Sequence, residues 1–270
     1  MHKLNFLIQI IAILLLFTNA YSLSSSSYLI SNSAMLLFDY EEAKIHYDNS
    51  NLNDFNNNDL EKKLLAFIIT NSIDKGAKVA KEILKKDKTN QEAWLVYLVD
   101  AKLNNFKSPF IEFQREKQNE NLNIVDFIFF NGSQQKKNNN NIAKSIFDIV
   151  QTSTSQDNNK LQNYDYLLFY LSLSLNLNEF FNEAYFYSAQ IYQRLKKYNK
   201  AEQLYNKVNK DHLLYLESQK NIAINKRYQK KIKDAENGLI TLIKTYPENK
   251  SLLISLADLY RTSKQYKKAI

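Results

Sequence analysis

Apolar side chains along this 270-residue chain recur at the spacing of amphipathic helices. Two segments show the same steps of three, one and three residues: Tyr185, Ser188, Ala189 and Tyr192, and Leu253, Leu256, Ala257 and Tyr260. A longer stripe runs from Ile232 to Tyr246. Pro247 ends it, because a residue that precedes proline is displaced from helical geometry. The pattern predicts pairs of helices separated by short turns.

The helical stripes repeat with a period of 34 residues. Three columns share it: Ala189, Ala223 and Ala257; Ala201, Ala235 and Ala269; Tyr198, Ile232 and Tyr266. Alanines at two fixed positions of a unit allow the backbones of two helices to approach to about 8–10 Å. Each unit is therefore predicted to be a helical hairpin that buries its apolar face only by stacking on its neighbours.

These columns resemble the tetratricopeptide repeat (TPR) family. The resemblance is carried by Ala223, Ala235 and Pro247 in residues 216–249, and by Tyr192, Ala201 and Tyr205 in residues 182–215. Residues 24–57 and 57–90 fit two further repeats, and Trp94 stands where the family often has tryptophan. The resemblance implies an all-α superhelix, a solenoid of antiparallel helix pairs that binds other proteins.

Polar tracts interrupt the repeats at residues 131–141 and 153–160. We expect one irregular repeat with long polar loops there, and a break into two domains near 131–141 is the alternative. The expected organisation is a signal peptide (1–22), N-terminal repeats (23–106), the irregular region (107–181) and C-terminal repeats (182–215, 216–249 and a truncated 250–270). Because the last unit lacks most of its second helix, we expect the chain to be a fragment.

The first 22 residues have the pattern of an export signal. Lys3 precedes an apolar run from Leu4 to Phe17, and small residues follow at Ala20 and Ser22. A helix of this length rises about 21 Å, which falls short of the roughly 30 Å of a bilayer core. We predict a cleaved signal and a bacterial periplasmic location, with an uncleaved anchor in the inner membrane as the alternative.

Composition narrows the fold and the chemistry. Three glycines and two prolines are too few for a β-rich or α/β protein of this size, and they predict few turns of special geometry. The absence of cysteine excludes disulfides, cysteine-ligated metals and a thiol nucleophile.

Net charge of +8 raises nucleic acid or an anionic membrane as partners. The densest basic run, Lys226–Lys233, falls at a turn between two helices, so we interpret it as a solvated turn and expect no nucleic-acid binding. Charge-driven attachment to an anionic membrane surface remains an alternative function.

Catalytic and metal-binding patterns are missing from the sequence. There is no glycine-rich phosphate loop. His46 and His212 lie in different repeats, without metal-ligand spacing. We expect no catalytic residue, no metal site, no cofactor and no enzymatic activity, although an accessory domain of an enzyme complex remains possible.

The binding hypothesis concerns the inner curve that the first helix of each hairpin lines in such solenoids. Five residues are predicted to line this groove: Phe186, Gln190, Lys220, Asp258 and Arg261. Some relatives clamp a terminal carboxylate there with paired lysines and asparagines, a set that this sequence lacks. What the resemblance implies is an exported scaffold for a protein or peptide, in envelope assembly or secretion.

Overall fold

The computed structural model describes residues 26–49, 55–118, 121–131, 135–155 and 163–268. By its internal contacts the chain divides into two compact units, unit 1 (Met1–Ile142) and unit 2 (Ala143–Ile270). The boundary between the units falls one residue after the polar tract 131–141, where the sequence analysis gave a break into two domains as the alternative. The predicted signal peptide, residues 1–22, lies outside the described residues.

Unit 1 is a succession of helices joined by short turns. They are α1 (26–36), α2 (Tyr40–Asp48), α3 (Asn57–Ile69), α4 (Ile73–Lys86), α5 (Gln91–Leu103), α6 (Ser108–Glu116) and α7 (Asn123–Phe129), followed by the strands β1 (Phe130–Asn131) and β2 (Gln135–Lys136). The side chain of Asn90 accepts a 2.9 Å hydrogen bond from the backbone N–H of Ala93 at the start of α5. Such a cap satisfies a donor that the helix itself leaves unpaired.

Unit 2 continues with longer helices. Its elements are α8 (Asn139–Ser155, which begins just before the boundary), α9 (Tyr164–Leu177), α10 (Asn182–Arg194), α11 (Tyr198–Tyr205), α12 (Tyr215–Tyr228), α13 (Ile232–Thr245), α14 (Lys250–Thr262) and a 3₁₀ turn (Tyr266–Lys268). Helix α13 ends two residues before Pro247, as the sequence predicts.

The predicted all-α class is confirmed. Among the described residues, the strands that form are β1 and β2, which pair antiparallel with Phe130 opposite Lys136. The expectation of a loop throughout residues 131–141 is wrong in part, because β2 lies inside that tract and α8 begins at Asn139. Two strands can pair within this polar tract because the hydrogen bonds between strands join backbone groups and need no apolar side chains.

Left-handed residues end the first helix of several hairpins. Positive φ occurs at Phe38, Asn71, Asn105, Lys196, Lys230 and Lys264. At Lys196 the backbone N–H donates to the carbonyl of Gln193 (3.0 Å), and the N–H of Lys197 donates to that of Tyr192 (2.8 Å). This pair of bonds is the Schellman motif, and it recurs in the next two turns of unit 2.

The expectation of few special turns, based on the three glycines, is wrong. None of these six positions is glycine, and neither described glycine, Gly76 or Gly238, has positive φ. Asparagine tolerates the left-handed region because its short polar side chain bonds locally. At the lysines, the two backbone bonds of the motif offset the steric cost of the Cβ.

Small residues lie where the two helices of a hairpin pack. Ala189, Ala201 and Ala235 are fully buried, and Ala223 is 2% exposed. A Cβ built on Gly238 of α13 would lie 3.6 Å from the Cβ of Ala223 on α12, which is ordinary van der Waals distance. The alanine columns therefore have the packing role that the period predicts, whereas Ala257 is only partly buried and Ala269 lies outside the described residues.

None of the helices in the described portions of the chain is both long enough and apolar enough to cross a membrane.

Candidate functional site

A cavity of about 460 Å³ opens beside helices α10 and α12 of unit 2. It is lined by Gln190, Gln193, Arg194, Lys196, Tyr198, Tyr205, Glu217, Asn221 and Tyr228. Three of these residues carry side-chain amides, so we name the cavity the amide pocket. Its size is within the usual range for pockets that bind small molecules or part of a peptide.

The phenol of Tyr205 orients one wall of the amide pocket. Its hydroxyl donates a 2.8 Å hydrogen bond to Oε1 of Gln193. Burial, together with the nearby Glu217 carboxylate, raises the pKa of this phenol, against a smaller lowering by Arg194. The hydroxyl therefore stays protonated as the donor, and the Nε2 group of Gln193 is left to donate.

Asn225 lies one helical turn beyond Asn221 on the same side of α12. It is fully buried, and neither Oδ1 nor Nδ2 of its amide has a hydrogen-bond partner among the described residues. A buried polar group without a partner costs about 1–3 kcal/mol. The equivalent positions one repeat before and after are Ile191 and Leu259, both buried. Asn225 thus places an amide at a repeat position where the neighbouring repeats bury an aliphatic side chain.

The rim of the amide pocket is an ordered stack. The rings of Tyr198 and Tyr228 are nearly parallel, 11° apart, with centroids separated by 5.5 Å. The guanidinium of Arg227 lies 4.9 Å from the Tyr228 centroid. Nearby, Nε2 of Gln229 donates to Oε1 of Glu202 at 2.7 Å. These contacts join α11 to the C-terminal end of α12.

The structure places the five predicted groove residues differently from one another. Gln190 lines the amide pocket. Phe186 does not line a groove, which corrects the prediction: it is 6% exposed, and its ring packs against those of Tyr187 and Tyr205. Its aromatic surface fills the hairpin because the neighbouring tyrosines of α10 take the more exposed positions.

The three other predicted residues lie outside the amide pocket. Lys220 bonds to Oε2 of Glu217 (2.6 Å) and to Oγ of Ser251 (3.0 Å), so it ties α12 to α14. Arg261 pairs with Asp258 at 3.0 Å on the surface of α14. Surface pairs of this kind contribute about 0–1 kcal/mol and define no pocket.

The two histidines of the described chain are separate. His46 contacts Glu42 at 3.1 Å, and His212 contacts Glu183 at 3.4 Å. In the described ranges, no group of three or more His, Cys, Asp or Glu side chains could hold a metal ion.

A second cavity, of about 480 Å³, runs along α12 and α13 within one hairpin, from Tyr215 to Tyr246. It is slightly larger than the amide pocket. We favour the amide pocket as the binding site because two of its lining residues, Asn221 and Tyr228, lie one turn of α12 from the unpaired amide of Asn225.

Together, paired helices, a 34-residue period, buried alanines and Schellman turns define an all-α repeat fold built from antiparallel helix pairs. Among solved structures, the chain is similar to a tetratricopeptide repeat protein from Parabacteroides merdae ATCC 43184, with a TM-score of 0.41 and 17% identity over 79% of this chain and 75% of that chain. It is also similar to a thermophilic TPR protein in Thermus thermophilus (TM-score 0.34, 10% identity, 87% of this chain and 98% of that chain). A third is the TPR2AB domain of yeast Sti1 in complex with pHSP90 (TM-score 0.36, 10% identity, 92% and 98%). No protein-family model and no curated protein matches the sequence.

Proposed function

We propose that the protein is a non-catalytic scaffold that binds a protein or peptide partner in the amide pocket of unit 2. The observation that carries this proposal is Asn225, a buried amide without a partner beside a wall of further amides. An amide that weakens the packing of its own repeat is expected where binding, rather than stability, is the requirement.

The chemistry of the pocket favours the main chain of a partner as the bound group. Gln190, Gln193 and Asn221 each present a side-chain amide, which has both donor and acceptor atoms. An extended peptide offers the matching N–H and C=O groups at each residue. A carboxylate would need a cluster of cations, whereas the pocket lining includes the acidic Glu217 as well as Arg194 and Lys196.

Asn225→Leu is expected to raise the free energy of unfolding by about 1–3 kcal/mol, because it removes an unpaired buried amide and restores the aliphatic column of Ile191 and Leu259. Chemical denaturation of the purified chain measures the change. The same variant should bind the partner more weakly. A variant that loses stability would show that the amide has a structural partner in solution, and the reason for choosing this pocket would be lost.

Site-specific photo-crosslinking in cells tests the location of binding. A photoreactive residue at Gln190, on the pocket wall, is expected to capture the partner, and Asn221→Ala in the same chain should reduce capture. The control is a photoreactive residue at Lys244, which is exposed on α13 outside the amide pocket. Capture at Lys244 without capture at Gln190 would contradict the proposal.

We propose in addition that the scaffold acts outside the cytoplasm, in envelope assembly or secretion. The support is the apolar run Leu4–Phe17 and the small residues Ala20 and Ser22 that follow it. N-terminal sequencing of protein from a periplasmic fraction tests this. A mature chain that begins near residue 23 is expected, and a cytoplasmic chain with residues 1–22 intact would refute export.

A further inference from the structure

The net charge is confined to unit 2. Residues 1–142 contain sixteen Lys and Arg and sixteen Asp and Glu, whereas residues 143–270 contain twenty and twelve. Thirteen of those twenty cations, with a single acidic residue, fall in three short segments: 194–200, 226–234 and 261–268. Each segment is the turn after the first helix of a hairpin. Most of the excess positive charge of unit 2 therefore lies at or next to the turns that follow the first helix of each hairpin.

Three lysines mark equivalent points of these turns. Lys196, Lys230 and Lys264 are 34 residues apart, all have φ of 60–62°, and all are exposed. Within the described part of the chain, none of the three side chains forms an ion pair or hydrogen bond. We name the row that they form the lysine edge.

Successive turns of the lysine edge lie next to each other. The Tyr198–Tyr228 stack, at 5.5 Å, joins the first turn to the second. Glu236, in the second turn of α13, accepts hydrogen bonds from Tyr260 (2.8 Å) and Lys268 (3.0 Å) of the following hairpin. The lysines consequently project from neighbouring hairpin ends as a row on one side of unit 2.

Local folding preferences do not account for lysine at these positions. Left-handed helix ends favour glycine or asparagine, and unit 1 of the same chain has Asn71 and Asn105 at two of its three left-handed positions and Phe38 at the third. A cation at a helix C-terminus gains a few tenths of a kcal/mol from the helix dipole. The helix dipole would stabilise a cation equally in unit 1, yet none of the left-handed positions at the helix ends of unit 1 is lysine. The difference between the units points to a binding role.

We propose that the lysine edge binds the surface of an anionic lipid bilayer. A row of cations on hairpin ends matches a flat layer of phosphate headgroups, which attract such side chains. The exposed rings of Tyr228 and Tyr266 accompany it, and tyrosine is enriched at the membrane interface. A single-stranded nucleic acid is disfavoured because it stacks successive bases on open aromatic faces, whereas the partly exposed ring of Tyr228 already stacks on that of Tyr198. Lys196 and Tyr228 also line the amide pocket, whereas Lys230, Lys264 and Tyr266 lie outside it.

The test compares the full chain with the triple variant Lys196→Asn, Lys230→Asn and Lys264→Asn by vesicle co-sedimentation. Asparagine already holds the left-handed conformation at Asn71 and Asn105, so circular dichroism and the unfolding midpoint should stay unchanged. Binding to vesicles of phosphatidylcholine with phosphatidylglycerol is expected to fall by about 100-fold, at roughly a fivefold loss per lysine. Vesicles of pure phosphatidylcholine carry no net charge, so binding to them measures how much apolar segments contribute to vesicle binding.

A second triple variant removes the same charge elsewhere in unit 2: Lys210→Asn, Lys244→Asn and Lys250→Asn, all exposed and outside the lysine edge. It should retain most of the binding at low salt. The proposal is overturned by equal losses from the two variants, by unchanged binding of the edge variant, or by equal binding of the native chain to neutral and anionic vesicles. Tighter binding to a single-stranded oligonucleotide than to anionic vesicles would identify the wrong partner.

Discussion

Trp94→Ala is expected to lower the free energy of unfolding of unit 1 by about 3–5 kcal/mol. Trp94 is 2% exposed, and its indole packs edge-to-face on Phe113 with centroids 5.3 Å apart. Its Nε1–H also donates a 2.9 Å hydrogen bond to the carbonyl of Lys88. Truncation removes the largest side chain of this core and leaves that carbonyl without its donor. Denaturant unfolding followed by circular dichroism measures the loss.

Ile111→Ala is the matched control, because Ile111 lies on the neighbouring helix α6 and is 62% exposed. A change within about 0.5 kcal/mol is expected for such a surface position. If the two variants unfolded at the same denaturant concentration, Trp94 would not be the centre of the unit 1 core.

Ala235→Leu is expected to destabilise unit 2 by about 1–3 kcal/mol through overpacking. Ala235 is fully buried in a cluster with Ala223, Leu239, Leu252 and Leu259, so three added carbon atoms must displace neighbours on α12 or α14. Calorimetry or denaturant unfolding of the full chain measures the effect.

Lys230 supplies the control for Ala235, since both belong to the same hairpin. Lys230→Leu at this exposed turn should change stability little, and Lys230→Asn avoids the strain of a bulkier residue at a φ of 62°. Equal destabilisation by Ala235→Leu and by the Lys230 variants would show that the repeat register is wrong.

The fold could be predicted from the sequence because close packing of helices requires small residues that recur with the period of the repeat. Two helices that approach closely need small residues at fixed intervals, and the buried alanines at positions 189, 201, 223 and 235 have that spacing. Helix positions followed within a few residues. The stripe from Leu253 to Tyr260 lies in helix α14, Lys250–Thr262, and the stripe from Ile232 to Tyr246 matches α13, Ile232–Thr245.

The turns could not be predicted from composition, because backbone hydrogen bonds decide their geometry. Counting glycines assumes that a left-handed residue needs one, yet Lys196 and Asn71 take that conformation within Schellman motifs. The β1–β2 pair was missed for a related reason. A polar tract gives no alternation of apolar and polar residues, which is the pattern that indicates a strand.

The candidate site was only partly visible in the sequence. Gln190 is partly exposed and lines the amide pocket, but helix geometry could not decide which ring of Tyr185, Phe186 and Tyr187 is buried. The signal that was available lies in the column of Ile191, Asn225 and Leu259. One amide among buried aliphatic residues marks the repeat whose packing departs from its neighbours.

The 34-residue period sets the increments in which such a chain can lengthen during evolution. A tandem copy of residues 182–215 would add one lysine at the turn position and an aliphatic residue at the column position, since it carries Lys196 and Ile191. A copy of residues 216–249 would add Lys230 together with a second buried amide from Asn225. Duplication can therefore extend a charged row by one cation at a time, with or without multiplying the recognition site, so that the two properties are inherited separately.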